Sequence, residues 1–148
     1  MTFIPLIILH SPFSIPSVWS FPHFTDKSGL APYLQVGWQG EILAARHLRQ
    51  LGYRVLQRNV RVGRRDEIDI LAYDPQDNVL VFVEVKSRAR SGLYAPEVNV
   101  TASKRIKMSR AARRWMARHD FGIGYRLDVV CVAEGKVVNH FQQVSGRR

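Results

Sequence analysis

Hydrophobic and polar positions follow helical and strand periods from about Gly37 onward, and together they predict a mixed fold. Apolar residues recur at helical spacing over 39–51, where Gly52 marks the helix end, and again over 101–119. Alternating or continuous apolar runs predict five strands, at 53–59, 67–73, 79–87, 125–133 and 137–141. Residues 79–83 are all apolar, which is typical of a central strand covered on both faces. This order predicts an α/β domain with a mixed β-sheet flanked by helices.

Residues 1–36 show neither period, and they predict an irregular N-terminal extension before a domain at 37–148. Before Gln39 only Asp26 and Lys27 are charged, and five of the seven prolines lie in this stretch. The apolar start is too short to span a bilayer and lacks the basic flank of a signal peptide. Two interpretations stay open: the extension packs on the domain, or it reflects a start codon chosen too far upstream.

The charge balance then narrows the class of partner. The 148 residues carry a formal charge of +10, which favours nucleic acid first and an anionic membrane surface second. The alternative is that the excess positive charge only aids solubility, and charge alone leaves these interpretations close to even. The single cysteine, Cys131, lies in an apolar run and is expected to be a buried strand residue. It provides no cysteine cluster for zinc and fits a cytoplasmic location.

A carboxylate–lysine pattern on the second and third predicted strands carries the candidate chemistry. Asp69 is expected on the face opposite Ile68 and Ile70, and Glu84 shares a face with Lys86. If the two strands are hairpin neighbours, the carboxylates converge, and a divalent cation relieves their repulsion. Hard oxygen ligands favour Mg²⁺ or Mn²⁺. A solvated cross-strand ion pair is the usual alternative for such a pattern on its own.

Glu41 lies on the apolar stripe of the first predicted helix, and it has two equally weighted interpretations. It is either placed favourably near a helix N-terminus or a further metal ligand. Arg126 and Asp128 share a face of the fourth strand, where ion pairs with neighbours and a structural position beside the site are both open. His47, His119 and His140 show no ligand spacing and are expected at the surface.

The second predicted helix is strongly basic, with no acid between Thr101 and His119. Because it forgoes pairing within the helix, its charges are expected to need an external anion, and a phosphate backbone is the natural candidate. An anionic membrane is disfavoured, since the apolar side of the helix is needed for the core. The predicted nucleic-acid contacts are Arg64, Arg65, Arg88, Lys104, Arg105, Lys107 and Arg110.

Several motifs occur in an order that resembles the YraN-like family of bacterial proteins. They are Gly40-Glu41, Gly52-Tyr53, Arg58-Asn59, Glu67-Ile68-Asp69, residues 82–88, Lys104 and Arg126-Leu127-Asp128. The resemblance implies a restriction-endonuclease-like fold, similar to Holliday-junction resolvases, with a PD-(D/E)xK-type site. It assigns Asp69, Glu84 and Lys86 to catalysis, with Glu41 as the first-helix glutamate. The family usually has glycine where this chain has Asp66.

These observations give three hypotheses. The first is a metal-dependent endonuclease that cleaves DNA phosphodiester bonds in branched or otherwise structured DNA, with Glu41, Asp69 and Glu84 as metal ligands. DNA is favoured over RNA, and the likeness to resolvases suggests a homodimer. The alternative is a non-catalytic nucleic-acid-binding protein that retains the nuclease fold. The third is a protein-interaction or membrane-surface function of the basic helix.

Overall fold

The computed structural model describes residues 32–88, 101–119 and 122–144. It contains two helices and five strands, which confirms the predicted order of elements. The helices are α1 (Pro32–Gln50) and α2 (Ala102–His119). The strands are β1 (Arg54–Val62), β2 (Asp66–Asp74), β3 (Val79–Arg88), β4 (Gly124–Ala133) and β5 (Lys136–Phe141).

The strands form one mixed sheet in the order β1-β2-β3-β4-β5. All neighbouring strands are antiparallel except β3 and β4, which are parallel and joined through α2. A parallel pair needs such a crossover, because the chain must return to the end of the sheet where the first strand began before the second strand can start. The mixed α/β architecture is therefore confirmed at this level.

Side chains of β3 alternate between two cores, one on each face of the sheet. Leu80 and Phe82 pack with Met108 and Trp115 of α2. Val81 and Val83 belong to the core on the opposite face, where α1 contributes Ala44, Ala45 and Leu48. An apolar run without alternation is what a strand covered on both faces requires. Cys131 is buried in the core on the α2 side, as expected.

The helix boundaries differ from the prediction at one end. Helix α1 begins at Pro32, so residues 32–36, predicted to be irregular, are helical. Proline is tolerated in the first turn of a helix, where its missing N–H has no intrahelical partner. Residues 1–31 lie outside the described part of the chain, and the division into an extension and a domain stays a prediction.

Thr101 caps α2, since its hydroxyl accepts a hydrogen bond from the Lys104 N–H.

Neither described helix is long and apolar enough to cross a lipid bilayer.

Candidate active site

The site lies where β2 and β3 stop pairing. Their register runs from Asp74 opposite Val79 to Ile70 opposite Val83, and Asp69 and Glu84 are the next residues on the two strands. The Val85 N–H donates a 2.7 Å hydrogen bond to Asp69 Oδ2. A side-chain acceptor therefore takes a strand N–H, which holds the Asp69 carboxylate in the gap between the strands.

The alternation of β2 is broken at this point. Ile68 packs in the core on the α2 side, whereas Ile70 packs in the core on the α1 side. The prediction that these two residues share a face is wrong. On β1, Asn59 has a φ of 54° and lies between the residues that pair with Ile68 and Ile70. This left-handed residue therefore lies beside the point at which the alternation of β2 changes.

Glu84 is buried, with 8% of its side chain exposed, and two lysines contact it. Its Oε1 lies 3.2 Å from Lys86 Nζ on the same strand and 2.6 Å from Lys104 Nζ in α2. Burial of a carboxylate is costly unless it is paired, so these contacts explain how Glu84 is tolerated there. The prediction named Lys104 only as a nucleic-acid contact, yet in the structure it is part of the acidic site.

Helix α1 brings Glu41 to the same region through a close contact with β3. A side chain at Gly40 would overlap with the Ser87 hydroxyl, so only glycine allows this approach. Glu41 Oε2 accepts a 2.9 Å hydrogen bond from Asn59 Nδ2. Sequence reasoning quoted Gly40 and Asn59 as motif residues without a function, and the structure gives each a positioning contact.

The electrostatics of Asp69 show that the acids are close and short of positive charge. Burial, the Glu84 carboxylate and then the Glu41 carboxylate raise the pKa of Asp69 to about 7, against the Val85 N–H and Lys104, which lower it. Burial and the neighbouring carboxylates therefore disfavour the ionised form of Asp69. A bound cation is the direct means of stabilising that form.

The donor set fits a hard divalent cation with few protein ligands. Within the described residues, no three side chains among His, Cys, Asp and Glu form a ready metal cage. Mg²⁺ is often bound through one or two carboxylates, with waters and substrate phosphates in the remaining positions. Asp69 and Glu84 fit that pattern, with Glu41 as an outer carboxylate. The ligand set Glu41, Asp69 and Glu84 stays a prediction.

The predicted nucleic-acid contacts occupy different environments. Arg64 and Arg65 are exposed in the turn between β1 and β2, and Lys107 is exposed on α2, where Arg105 is half-buried. Arg88 is the last residue of β3, and its side chain lies outside the described part. Lys104 and Arg110 are instead paired with acids of the sheet.

Asp66 is the acid that pairs with α2, and sequence reasoning did not assign it. Its carboxylate accepts hydrogen bonds from Arg110 Nε and Nη2 and from Arg114 Nη1. The Arg110 hydrogen bonds, followed by the charges of both arginines, hold the pKa of Asp66 below its usual range despite burial. The expectation that the charges of α2 need an external anion is therefore wrong for Lys104, Arg110 and Arg114. The only sequence signal was an acid where glycine is usual.

A second polar cluster surrounds Arg126 at the other end of β2. The Arg126 guanidinium donates to Asp128, Asp74 and the Tyr53 hydroxyl. Asp128 also contacts His140 Nε2 at 3.0 Å, so this histidine is a network residue rather than the surface residue that was expected. Arg126 and Asp128 thus pair with each other, and they contact Asp74, Tyr53 and His140 rather than Asp69 or Glu84.

Comparison with known proteins assigns the family. A family profile described as "Uncharacterised protein family UPF0102" matches residues 40–132. The UPF0102 protein of Campylobacter fetus is 37% identical over 109 residues, covering 74% of this chain and 92% of that protein. The UPF0102 proteins of Chlorobaculum tepidum and Geobacter sulfurreducens are 45% and 41% identical over 98 residues, covering 66% of this chain and 74% of each relative. The resemblance drawn from the motifs is thereby confirmed, and the chain belongs to the UPF0102, or YraN-like, family.

Proposed function

We propose that this protein is a metal-dependent endonuclease that hydrolyses DNA phosphodiester bonds at the site of Asp69, Glu84 and Lys86. The observation that carries the proposal is the meeting of two carboxylates at the end of the β2–β3 ladder, where the pKa of Asp69 is raised to about 7. Carboxylates that serve only the fold are normally matched by fixed partners. Here Glu84 is matched by two lysine side chains that reach solvent, with exposures of 45% and 35%, and Asp69 accepts the Val85 N–H.

Each residue of the proposed site has a role that follows from its side-chain chemistry. Asp69 and Glu84 would hold Mg²⁺ or Mn²⁺, with Glu41 supporting them from α1. The ion, when bound, supplies a Lewis acid for the phosphoryl oxygen and a bound water of lowered pKa. Lys86 Nζ orients the attacking water and offsets the negative charge that develops on the phosphate. Lys104 Nζ holds the Glu84 carboxylate in position through a 2.6 Å ion pair.

The surrounding charge supports DNA as the substrate class. The chain carries a formal charge of +10. The exposed Arg64 and Arg65 lie in the turn before the strand that carries Asp69, and the exposed Lys107 lies on the helix that carries Lys104. Such cations attract a phosphate backbone without reading its sequence. The likeness to Holliday-junction resolvases makes branched DNA the first substrate to test. The restriction-endonuclease-like fold is part of the same proposal.

A cleavage assay tests the proposal. Labelled four-way junctions and linear duplexes are incubated with the protein and either Mg²⁺ or Mn²⁺. We expect Asp69→Ala and Glu84→Gln to lower the cleavage rate by about 100- to 1,000-fold, the usual range for losing one group that stabilises developing charge. Glu67→Gln is the matched control, because Glu67 is an exposed acid on the same strand, and it should cleave like wild type.

Absence of cleavage with both metals, or equal rates in the three variants and wild type, would contradict the enzymatic proposal.

A second candidate is a nucleic-acid-binding protein that keeps this arrangement without turnover. The observation favouring it is that Lys86 and Lys104 both contact the same oxygen of Glu84, which neutralises the acid without a metal. Titration calorimetry with Mn²⁺ separates the candidates. The enzyme requires Mn²⁺ binding that is lost in Glu84→Gln, whereas the binding protein binds DNA equally well with and without a divalent ion.

A further inference from the structure

We propose that Asp66 holds Arg110 and Arg114 as a fixed phosphate anchor, a second contact with the DNA backbone beside the proposed catalytic centre. The inference rests on the proposed function in taking DNA as the ligand. It adds a binding site on β2 and α2 and makes Asp66 a positioning residue. The anchor is defined by these three residues.

The contact geometry fixes the plane of the Arg110 guanidinium. Arg110 Nη2 donates to Asp66 Oδ1 at 2.5 Å, and Arg110 Nε donates to Oδ2 at 3.1 Å. Arg114 Nη1 donates to Oδ2 at 2.8 Å. A bidentate arginine–carboxylate pair restricts both distance and orientation. Asp66 therefore fixes the plane of the Arg110 guanidinium and holds Arg114 beside it through one donor.

The burial of the three side chains is strongly unequal. Asp66 has 3% of its side chain exposed, whereas Arg110 and Arg114 have 41% and 53% exposed. Each guanidinium carries five N–H donors, and the contacts with Asp66 use two from Arg110 and one from Arg114. Three donors of Arg110 and four of Arg114 therefore make no contact with Asp66. Two cations against one carboxylate also leave an excess positive charge.

An incoming phosphate is expected to join this cluster rather than displace Asp66. Removing the partners of a buried carboxylate leaves an uncompensated charge, which is strongly unfavourable. A phosphate that binds the outer donors leaves the inner pairs intact. Because the arginines are already ordered, the phosphate contact loses less side-chain freedom than a contact with free surface arginines.

The anchor lies at a defined distance from the proposed reacting centre. Asp66 and Asp69 are three strand residues apart, or about 10 Å. Lys104 and Arg110 are six helix residues apart, or about 9 Å. Phosphates along one strand of a duplex advance about 3.4 Å per nucleotide. Because the phosphates also wind around the axis, their separation in space is larger than this rise, and the anchor is placed to bind a phosphate about one or two nucleotides from the bond that is cleaved.

The nearby charge favours a phosphate backbone over an acidic protein as the occupant. Arg64 and Arg65 are exposed directly before Asp66, and no acid occurs in α2. Cations from the turn before β2 and from α2 suit a ligand with many phosphate charges.

A binding assay without divalent metal tests the anchor separately from cleavage. Wild type is titrated with four-way junctions and duplexes in which one phosphate at a time is replaced by an uncharged methylphosphonate. We expect one position, about one or two nucleotides from the cleaved bond, to weaken binding about tenfold when its phosphate is uncharged. In Arg114→Ala the replacement of that phosphate should no longer weaken binding, because the guanidinium that contacts it has been removed. Arg114→Ala keeps Arg110 on Asp66, so the acid stays paired.

The Asp66→Asn variant distinguishes the anchor from a general electrostatic attraction, because the two predict changes of affinity in opposite directions. It raises the net charge by one, so a general electrostatic attraction predicts tighter binding and a steeper dependence on salt. The anchor predicts weaker binding, by about threefold to tenfold, because the arginines lose their orientation. Arg113→Ala is the matched control: Arg113 is exposed on the same helix, about 100° around the axis from Arg114, and only a small uniform loss is expected. Thermal melting of each variant confirms that it is folded at the assay temperature.

The anchor is overturned if Asp66→Asn binds as tightly as wild type, if Arg114→Ala loses no more affinity than Arg113→Ala, or if no phosphate position is sensitive. Those results leave Mg²⁺-dependent cleavage through Asp69 and Glu84 intact. If the phosphate effect is found but no cleavage occurs, the anchor belongs to the non-catalytic binding protein and the nuclease proposal alone fails.

Discussion

Acidic side chains are buried at both ends of β2, but the two ends neutralise them differently. At one end Asp74 and Asp128 share the buried Arg126, which is 6% exposed, and they also accept backbone N–H groups. At the other end Asp69 and Glu84 are accompanied by two lysines that are partly in solvent. On β2, Asp69 and Asp74 lie five strand residues apart, or about 17 Å, while Asp128 lies on β4 opposite Val83.

The difference is the one expected between acids that build the fold and acids that serve the proposed site. Around Arg126 the donors are fixed by packing and satisfy the carboxylates within the chain. At the Asp69–Glu84 end the compensating cations are long, flexible side chains, and the pKa of Asp69 remains raised to about 7. A site that is incompletely neutralised by its own protein retains affinity for an external cation.

The largest expected effect is the loss of the buried arginine. Arg126→Met removes the partner of Asp74 and Asp128 while keeping an apolar side chain of moderate size. Breaking a buried pair from one side costs about 3–5 kcal/mol of unfolding free energy. Urea unfolding at pH 7 measures the change. A loss below about 1 kcal/mol would show that the Arg126 cluster is not the better-neutralised end.

The second prediction concerns the pH dependence of Asp69. The pKa of Asp69 is about 7 in the folded protein, against 3.8 for an ordinary aspartate in the unfolded chain. Between these two pH values the folded protein therefore binds one proton that the unfolded chain has released. Stability from this group is full below about pH 4 and is lost as the pH rises through 7. Each unit of pKa difference is worth about 1.4 kcal/mol, so Asp69→Asn should exceed wild type at pH 8 by about 1 kcal/mol or more.

The measurement is unfolding at pH 5 and pH 8, with carbon NMR of the Asp69 carboxyl as the direct readout. Asp66→Asn is the control of opposite sign. The lowered pKa of Asp66 gives stability that is present above its unfolded pKa and lost as the pH falls through its folded pKa. Asp66→Asn should therefore be less stable than wild type at neutral pH. An Asp69 titration near pH 4 would remove the contrast between the two ends of β2.

The third prediction concerns the contact that brings Glu41 to the acidic end. Gly40→Ala places a methyl group where the Ser87 hydroxyl lies, so α1 must shift away from β3. Overpacking costs about 1–3 kcal/mol, against about 1 kcal/mol gained from helix propensity, and a net loss of about 1 kcal/mol is expected. Chemical unfolding measures it, with Gly37→Ala as control, since nothing lies within 4 Å of a side chain at that position. Equal stability of Gly40→Ala and wild type would show that the close approach is not needed.

The smallest expected effect on stability is the loss of Lys86. Its side chain is 45% exposed, and an exposed ion pair contributes about 1 kcal/mol or less. Lys86→Met should therefore lower the unfolding free energy by under 1 kcal/mol while reducing DNA cleavage by about 100-fold. Parallel unfolding and cleavage measurements on one preparation check both parts. A stability loss as large as that of Arg126→Met would make the two ends equivalent.

The sequence by itself determined the order of elements, the two-sided burial of β3 and the motif residues that identify the family. These follow from the period of apolar positions, which is a local property of each segment. It also selected Asp69, Glu84 and Lys86 as candidates, because charged residues at the end of an apolar strand need a partner or solvent.

Only the tertiary structure decided which charges meet. The pairing of Asp66 with Arg110 and Arg114, and of Glu84 with Lys104, joins residues far apart in the chain. The same is true of the change of face between Ile68 and Ile70, which accompanies the left-handed Asn59 on a neighbouring strand. Ion pairs depend on distance and burial, and neither is fixed until helices and strands from separate segments pack together.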